Sequence, residues 1–331
     1  MSRDKAALLV GIEDYPRSPL SGPFQDVSRL QPLLTTNQDG SPNFECITMS
    51  APAPAPAEAM AKITRAKLRS MVHTLFSRRI HYALFYFAGH GVVTQRGGIL
   101  VTQDGEKSDE GVPMEELLNL ANQSSIDQIT MILDCCYSGK LGENSALQLG
   151  YSSLREGISV IAASGSDERA FEKSGSGVFT SLLCSALNGG ASDLLGNITT
   201  ASVYSYIDQA LTAWQQRPLF KANLSRLTPL RTINPPLPRP ILRKLTEYFP
   251  EPEAIYPLDP SYEPDPAYKP PGLASNPAHE EIFAHLQKFR AFHLLVPEGE
   301  EHLFWAAIRS KGCRLTLLGQ HYWQLAKGGR I

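Results

Sequence analysis

A chain of 331 residues, 42% hydrophobic and 19% charged with a formal net charge of −2, has room for one large domain or for a principal domain and a smaller one. The near-neutral balance excludes a global attraction to nucleic acid or to an anionic membrane, so any charge-based recognition is local. The apolar run that opens the chain is too short for a signal-peptide core or a spanning helix, and no other run is long enough, so the expected location is the cytoplasm. Five cysteines, two of them adjacent at Cys135 and Cys136, form no paired disulfide framework and are expected as thiols.

In chain order, short apolar runs alternate with helical patterns up to about residue 230. The runs AALLVGI (6–12), NFECITM (43–49), HYALFYFAG (81–89), GGILVTQDG (97–105), QITMILD (128–134) and ISVIAASG (158–165) read as strands. Helical periodicity covers Asp26 to Leu34, Glu58 to Phe76, Met114 to Ala121, Val178 to Leu187 and Ile198 to Trp214. This alternation predicts an α/β fold, a mostly parallel sheet flanked by helices. Continuous apolar runs suit strands covered on both faces, and chemistry in such sheets collects at the carboxyl ends, which puts Gly89–His90 and Asp134–Cys136 on one rim. The segment SAPAPAPA (50–57) reads as a Pro/Ala connector.

Composition changes near residue 234. Proline recurs through residue 277 and predicts a linker or strap in extended conformation, either pinned by Tyr248, Tyr256, Tyr262 and Tyr268 to the first domain or mobile. Residues 278–331 return to helical periodicity, with Thr316 offered as an N-cap and Gly328–Gly329 as a stop, and form a small, mainly helical domain. The division expected is therefore 1–233, 234–277 and 278–331.

The residues with chemistry lie in two blocks. In Tyr86-Phe87-Ala88-Gly89-His90-Gly91 a histidine between glycines at a strand end can face a cleft as a general base, although a plain turn histidine fits the same residues. In Asp134-Cys135-Cys136-Tyr137-Ser138-Gly139 a cysteine leaves a buried-type strand where thiolate chemistry is possible, although a buried structural thiol fits too. Adjacent side chains at a strand end point to opposite faces, so only one of Cys135 and Cys136 can meet His90. The cysteines and histidines lack metal-ligand spacing, and no cofactor is implied.

Taken together, YFAGHG followed by DCCYSG resembles the histidine and cysteine boxes of caspase-fold peptidases, closest to metacaspases and their bacterial relatives. Cys136 follows His90 by 46 positions, and caspases place the histidine about 50 residues before the cysteine. ALLVGIEDYPRSPLSGPFQDVSRLQPLL (7–34), ISVIAASGSDERAFE (158–172), SGVFTSLLCSALNGG (176–190) and ITTASVYSYIDQAL (198–211) extend the similarity over roughly residues 5–225. The resemblance implies a cysteine endopeptidase acting on proteins, with Cys136 as nucleophile, His90 as base, and the Gly91 and Cys136 amides around the oxyanion. No third group orienting His90 is evident. The family pattern also implies a pocket for the residue before the scissile bond, lined by Asp26, Asp134, Ala88 and Ser164. Paired carboxylates there select Arg and then Lys; helix capping by Asp26 and strand termination by Asp134 are the plainer alternatives. Ala88 stands where such relatives commonly have serine, and Pro23 where they often have cysteine.

In the last domain Trp305, Arg309, Arg314, Tyr322 and Trp323 mix aromatic faces with cations. That mixture suits a small nucleotide messenger of the cyclic ADP-ribose type, although the same pattern is more often a small-domain core with a solvated surface. Bacterial caspase-like proteins commonly carry an appended sensor in defence operons, so the resemblance suggests gating of the peptidase by such a messenger or by an activating protein. A catalytically silent caspase-like scaffold is the alternative.

Overall fold

The computed structural model describes residues 4–53, 62–94, 97–106, 109–135, 153–163, 177–211 and 218–331. It divides the chain into two compact units, Met1–Ile233 and Asn234–Ile331.

In the first unit the order is β1 (Lys5–Ile12), α1 (Pro23–Thr35), β2 (Glu45–Ala51), α2 (Arg65–Phe76), β3 (Tyr82–Ala88), β4 (Gly91–Thr94), β5 (Gly97–Glu106) and β6 (Asp109–Pro113). There follow α3 (Met114–Gln123), β7 (Gln128–Asp134), β8 (Ile158–Ala162), α4 (Val178–Ser185), β9 (Asn197–Ile198), α5 (Thr200–Leu211), β10 (Leu219–Asn223) and β11 (Arg231–Thr232). Six strands form one sheet in the order β10-β8-β7-β3-β1-β2, parallel except for β10. Each face of the sheet carries an apolar cluster. Leu8, Val10, Phe85, Phe87, Met131 and Leu133 pack with Leu68 and Val72 of α2 and Leu117 of α3. Leu9, Leu84, Tyr86 and Ile132 pack with Val27 and Leu30 of α1, Leu183 of α4 and Ile207 of α5. Covered on both sides, β3 and β7 are buried at every position, which is why their sequences run apolar without alternation.

Within this unit three expectations need correction. The run 97–105 is a strand, but it belongs to a separate antiparallel sheet of order β4-β5-β6, whose outer strands the apolar pattern did not announce. The helix expected from Glu58 begins at Arg65, because Thr64 accepts the Lys67 amide as an N-cap, while 54–61 lie outside the described residues. The helix from Val178 ends as such at Ser185 and continues as a π-turn through Gly190, where Gly189 takes φ 127°.

The second unit contains α6 (Arg239–Arg243), α7 (Leu245–Tyr248), β12 (Ile255–Pro257), α8 (Pro277–Ala291), β13 (Leu295–Pro297), α9 (Leu303–Ile308), β14 (Gly312–Leu315) and α10 (Leu317–Lys327). The proline-rich stretch expected as a linker or strap is built into this unit. Its β12 pairs with β14 in a three-stranded antiparallel sheet, and Tyr248 bonds His285 of α8 at 2.7 Å. Prolines 260 and 266 open 3₁₀ turns behind Asp259 and Asp265, whose carboxylates accept the Ser261 and Ala267 amides. Proline is suited to that first turn, where its missing N–H costs nothing. Thr316 caps α10 through the Gly319 amide. Among the described residues no helix is long and apolar enough to cross a membrane.

Half-buried Lys5, at the start of β1, donates to Asn43 Oδ1 (3.1 Å) and the Pro229 carbonyl (2.8 Å), and burial lowers its pKa from 10.5 to about 8. The unfolded chain therefore binds more protons than the folded one between those values, and this contribution makes stability rise with pH across that window. Urea denaturation of wild type and Lys5→Met at about pH 7 and about pH 10 is expected to show wild type gaining on the variant at the higher pH; a pH-independent difference would contradict the assignment.

Candidate active site

The carboxyl ends of β1, β3 and β7 form one rim. β3 lies between the other two, with Ala88 opposite Gly11 on β1 and opposite Asp134 on β7. The chain leaves β3 through Gly89, whose amide donates to the Asp134 carbonyl at 3.3 Å. A Cβ on Gly89 would stand 2.5 Å from the Tyr15 hydroxyl oxygen, so glycine is required for the tyrosine's approach.

His90 follows and is held at three points. Its backbone N–H donates to Tyr15 Oη (3.0 Å), its carbonyl accepts from the Val101 amide (3.0 Å), and its Nε2 lies 2.7 Å from the Ser18 carbonyl oxygen. The Tyr15 ring lies against the imidazole with centroids 4.6 Å apart, and the Tyr15 hydroxyl donates onward to the Val101 carbonyl. A carbonyl oxygen only accepts, so Nε2 carries a proton and the lone pair of the neutral ring is on Nδ1. The orienting group missing from the sequence reading is thus a backbone carbonyl, supported by a buried phenol. Every residue has such a carbonyl, so no side-chain signal marks Ser18. Burial raises the Tyr15 hydroxyl far above its usual range, which keeps it protonated and able to donate.

Gly91 opens β4 opposite Leu100. The bond from the Val101 amide to the His90 carbonyl makes Gly91 and Leu100 a non-hydrogen-bonded pair, so the Gly91 N–H points away from β5.

Asp26 and Asp134 are brought together. Asp26, in the first turn of α1, is 2% exposed, and Asp134, ending β7, is 8% exposed. Asp26 Oδ2 accepts the Gly177 amide at 3.4 Å, and Asp134 Oδ2 accepts the Thr180 hydroxyl. With its proton committed to that carboxylate, Thr180 accepts from Tyr86, whose hydroxyl is 2.6 Å away. A Cβ placed on Gly177 would lie 3.2 Å from Asp134 Oδ2 and 3.5 Å from Asp26 Oδ2, so the two carboxylates converge on this glycine at the start of α4. Burial raises the Tyr86 pKa well above its usual value, and the charges of Asp134 and Asp26 add to the rise. Burial likewise pushes the Cys184 thiol up to about 11, with both aspartates contributing. Ala88, 2% exposed, lies in the same face's apolar cluster as Tyr86.

Cys135 is 1% exposed and belongs to the opposite cluster, with Phe87 and Leu133. Cys136 and Ser164 lie outside the described residues. Among the described residues no group of three or more metal-ligating side chains could hold an ion.

In the second unit, exposed Trp305 carries the Arg309 guanidinium 4.9 Å from its ring centroid. Glu300 holds both Arg309 and Lys311 at 2.8 Å, and Glu298 holds Arg314 at 2.8 Å. Tyr322 is buried, and Trp323 Nε1 donates to the Phe249 carbonyl at 2.7 Å. An anion approaching these arginines would compete with their own carboxylates.

The six-stranded sheet thus sets His90 and the end of the strand that precedes the cysteine pair on one rim. The comparison with protein families is more specific: residues 4–228 match the caspase domain, and this chain belongs to the caspase-domain family, whose members are cysteine peptidase-like hydrolases. Among solved structures, a Geobacter sulfurreducens protein determined as a structural-genomics target is 14% identical, with 69% of this chain and 99% of that one covered and a TM-score of 0.46. The structure of pro-sf-caspase-1 is 11% identical, with 68% and 94% covered and a TM-score of 0.48. No curated protein matches the chain.

Thr180→Val removes the hydroxyl that joins Tyr86 to Asp134 while preserving shape. Urea denaturation is expected to show a loss of about 1–3 kcal/mol, the cost of leaving buried polar groups unsatisfied; unchanged stability would mean that this bridge does not exist.

Proposed function

We propose that this protein is a cysteine endopeptidase that cleaves after Arg, and then after Lys, with Cys136 as nucleophile and His90 as base. The observation that carries the reading is the β3–β7 pairing, with Ala88 opposite Asp134: His90 and Cys136 each stand two positions beyond that pair. In the reaction, His90 Nδ1 takes the Cys136 thiol proton as the sulfur attacks the peptide carbonyl carbon. The oxygen's developing charge is met by the Gly91 and Cys136 amides. His90 returns the proton to the leaving amine, the C–N bond breaks, and a thioester remains. Water, losing a proton to His90, hydrolyses the thioester and restores the thiol. Proton transfer through Nδ1 is consistent with the hold that Ser18 keeps on Nε2. The burial of Cys135, 1% exposed, favours Cys136 as nucleophile, since the attacking sulfur must be reachable by the peptide carbonyl.

Preference for Arg rests on Asp26 and Asp134. Two buried carboxylates converging on one glycine create a site where a guanidinium is stabilised by charge and by bidentate hydrogen bonds. Lysine gains the charge but only a point contact, and an acidic side chain is repelled.

Fluorogenic peptides with Arg, Lys or Asp before the scissile bond test both parts. The expected order is Arg above Lys with Asp uncleaved, activity abolished in Cys136→Ala and retained in Cys135→Ala. Cleavage after Asp alone would refute the specificity, and an active Cys136→Ala would refute the nucleophile. Gly177 has φ −64° and ψ 138°, which alanine adopts without strain. Gly177→Ala should therefore keep its backbone conformation and raise KM for Arg peptides, because the added methyl, 3.2 Å from Asp134 Oδ2, displaces that carboxylate; unchanged KM in the folded variant would place the pocket elsewhere.

A further inference from the structure

We infer that Glu13 is the positioning residue that sets the base and the carboxylate pocket together; this inference rests on the peptidase reading. Glu13 immediately follows β1 and is 6% exposed. A carboxylate so buried requires donors, and among the described residues it receives three, all from backbone. The Gly22 and Phe24 amides donate to Oε1 at 2.9 and 3.0 Å, and the Ala53 amide donates to Oε2 at 3.1 Å. The Glu13 carbonyl accepts the Tyr15 and Leu20 amides, both at 3.0 Å, and its own amide donates to the Ala51 carbonyl. One residue thus closes the segment 13–24 on itself and fastens it to the end of β2.

That closed segment bears on both halves of the site. Within it stand Tyr15 and Ser18, which hold the backbone and the Nε2 of His90. At its far end α1 begins without a side-chain cap of its own. The Glu13 carboxylate takes that office from across the loop, on two N–H groups at the positive end of the helix. The Asp26 amide bonds the Gly22 carbonyl at 2.8 Å, so the position of Asp26 depends on where that helix starts. Displacing the Glu13 carboxylate would shift Ser18 from His90 and Asp26 from Gly177 together.

Glu13→Gln is the sparing variant. Its carbonyl oxygen can still accept from Gly22 and Phe24, while its NH₂ would face the Ala53 N–H, donor against donor. Melting temperature and far-UV circular dichroism check that it folds. With Arg peptides, kcat is expected to fall and KM to rise, for a loss in kcat/KM on the order of a hundredfold. Glu13→Asp, too short for all three bonds, should not restore it. A second readout is independent of turnover: ¹⁵N-histidine NMR on Cys136→Ala protein, with the His90 signals assigned by loss in His90→Gln. The ring is expected as the Nε2–H tautomer with glutamate at 13 and as a tautomer mixture in Glu13→Gln. An unmixed Nε2–H tautomer in folded Glu13→Gln would overturn the inference, as would an unchanged kcat/KM. Should wild type cleave no Arg peptide, the peptidase reading falls on that result alone, and the tautomer still decides the role of Glu13.

Discussion

The pairing of β3 with β7 is the constraint on which the site depends. Parallel strands in fixed register bring together residues 46 positions apart in sequence, Ala88 and Asp134, at one level of the rim. A slip of one residue would turn Phe85 and Phe87 out of one apolar cluster and Tyr86 out of the other, so burial of the sheet's two faces fixes the register. The energy that aligns the rim comes from side chains with no part in chemistry.

Upon that rim, buried polar groups are satisfied largely by backbone and hydroxyl donors. Glu13 receives three amides, Asp26 receives the Gly177 amide, and Asp134 receives the Thr180 hydroxyl. Backbone donors are fixed by the fold and lose little entropy when they bond. The same economy holds for His90, whose ring is aligned by a carbonyl rather than by a third acidic side chain.

Much of this was legible in the sequence. The apolar runs marked all but one strand of the main sheet, and the glycine-flanked histidine and the cysteine pair announced the rim. The missing strand, β10, has only intermediate to exposed positions, so no apolar run betrays it. Only the family pattern points to Asp26 and Asp134 in the sequence, and their convergence on Gly177 is a tertiary fact without local signal. Tyr15 and Glu13 lay in the opening segment unremarked, because one acts through a hydroxyl on a distant amide and the other through amides that every sequence offers. Composition points the proline-rich stretch toward an extended linker, because proline breaks regular helix and sheet, whereas Asp-Pro pairs here begin capped turns within a folded unit.

The central claim, one thiol activated by His90 in front of an acid-lined pocket, is open to direct covalent test. An Arg-bearing acyloxymethyl ketone, which alkylates a thiolate seated beside its side-chain pocket, should label Cys136 alone on peptide mapping. Labelling should be lost in His90→Ala and when Asp replaces Arg in the probe. Labelling of Cys135, or labelling indifferent to both changes, would contradict the account.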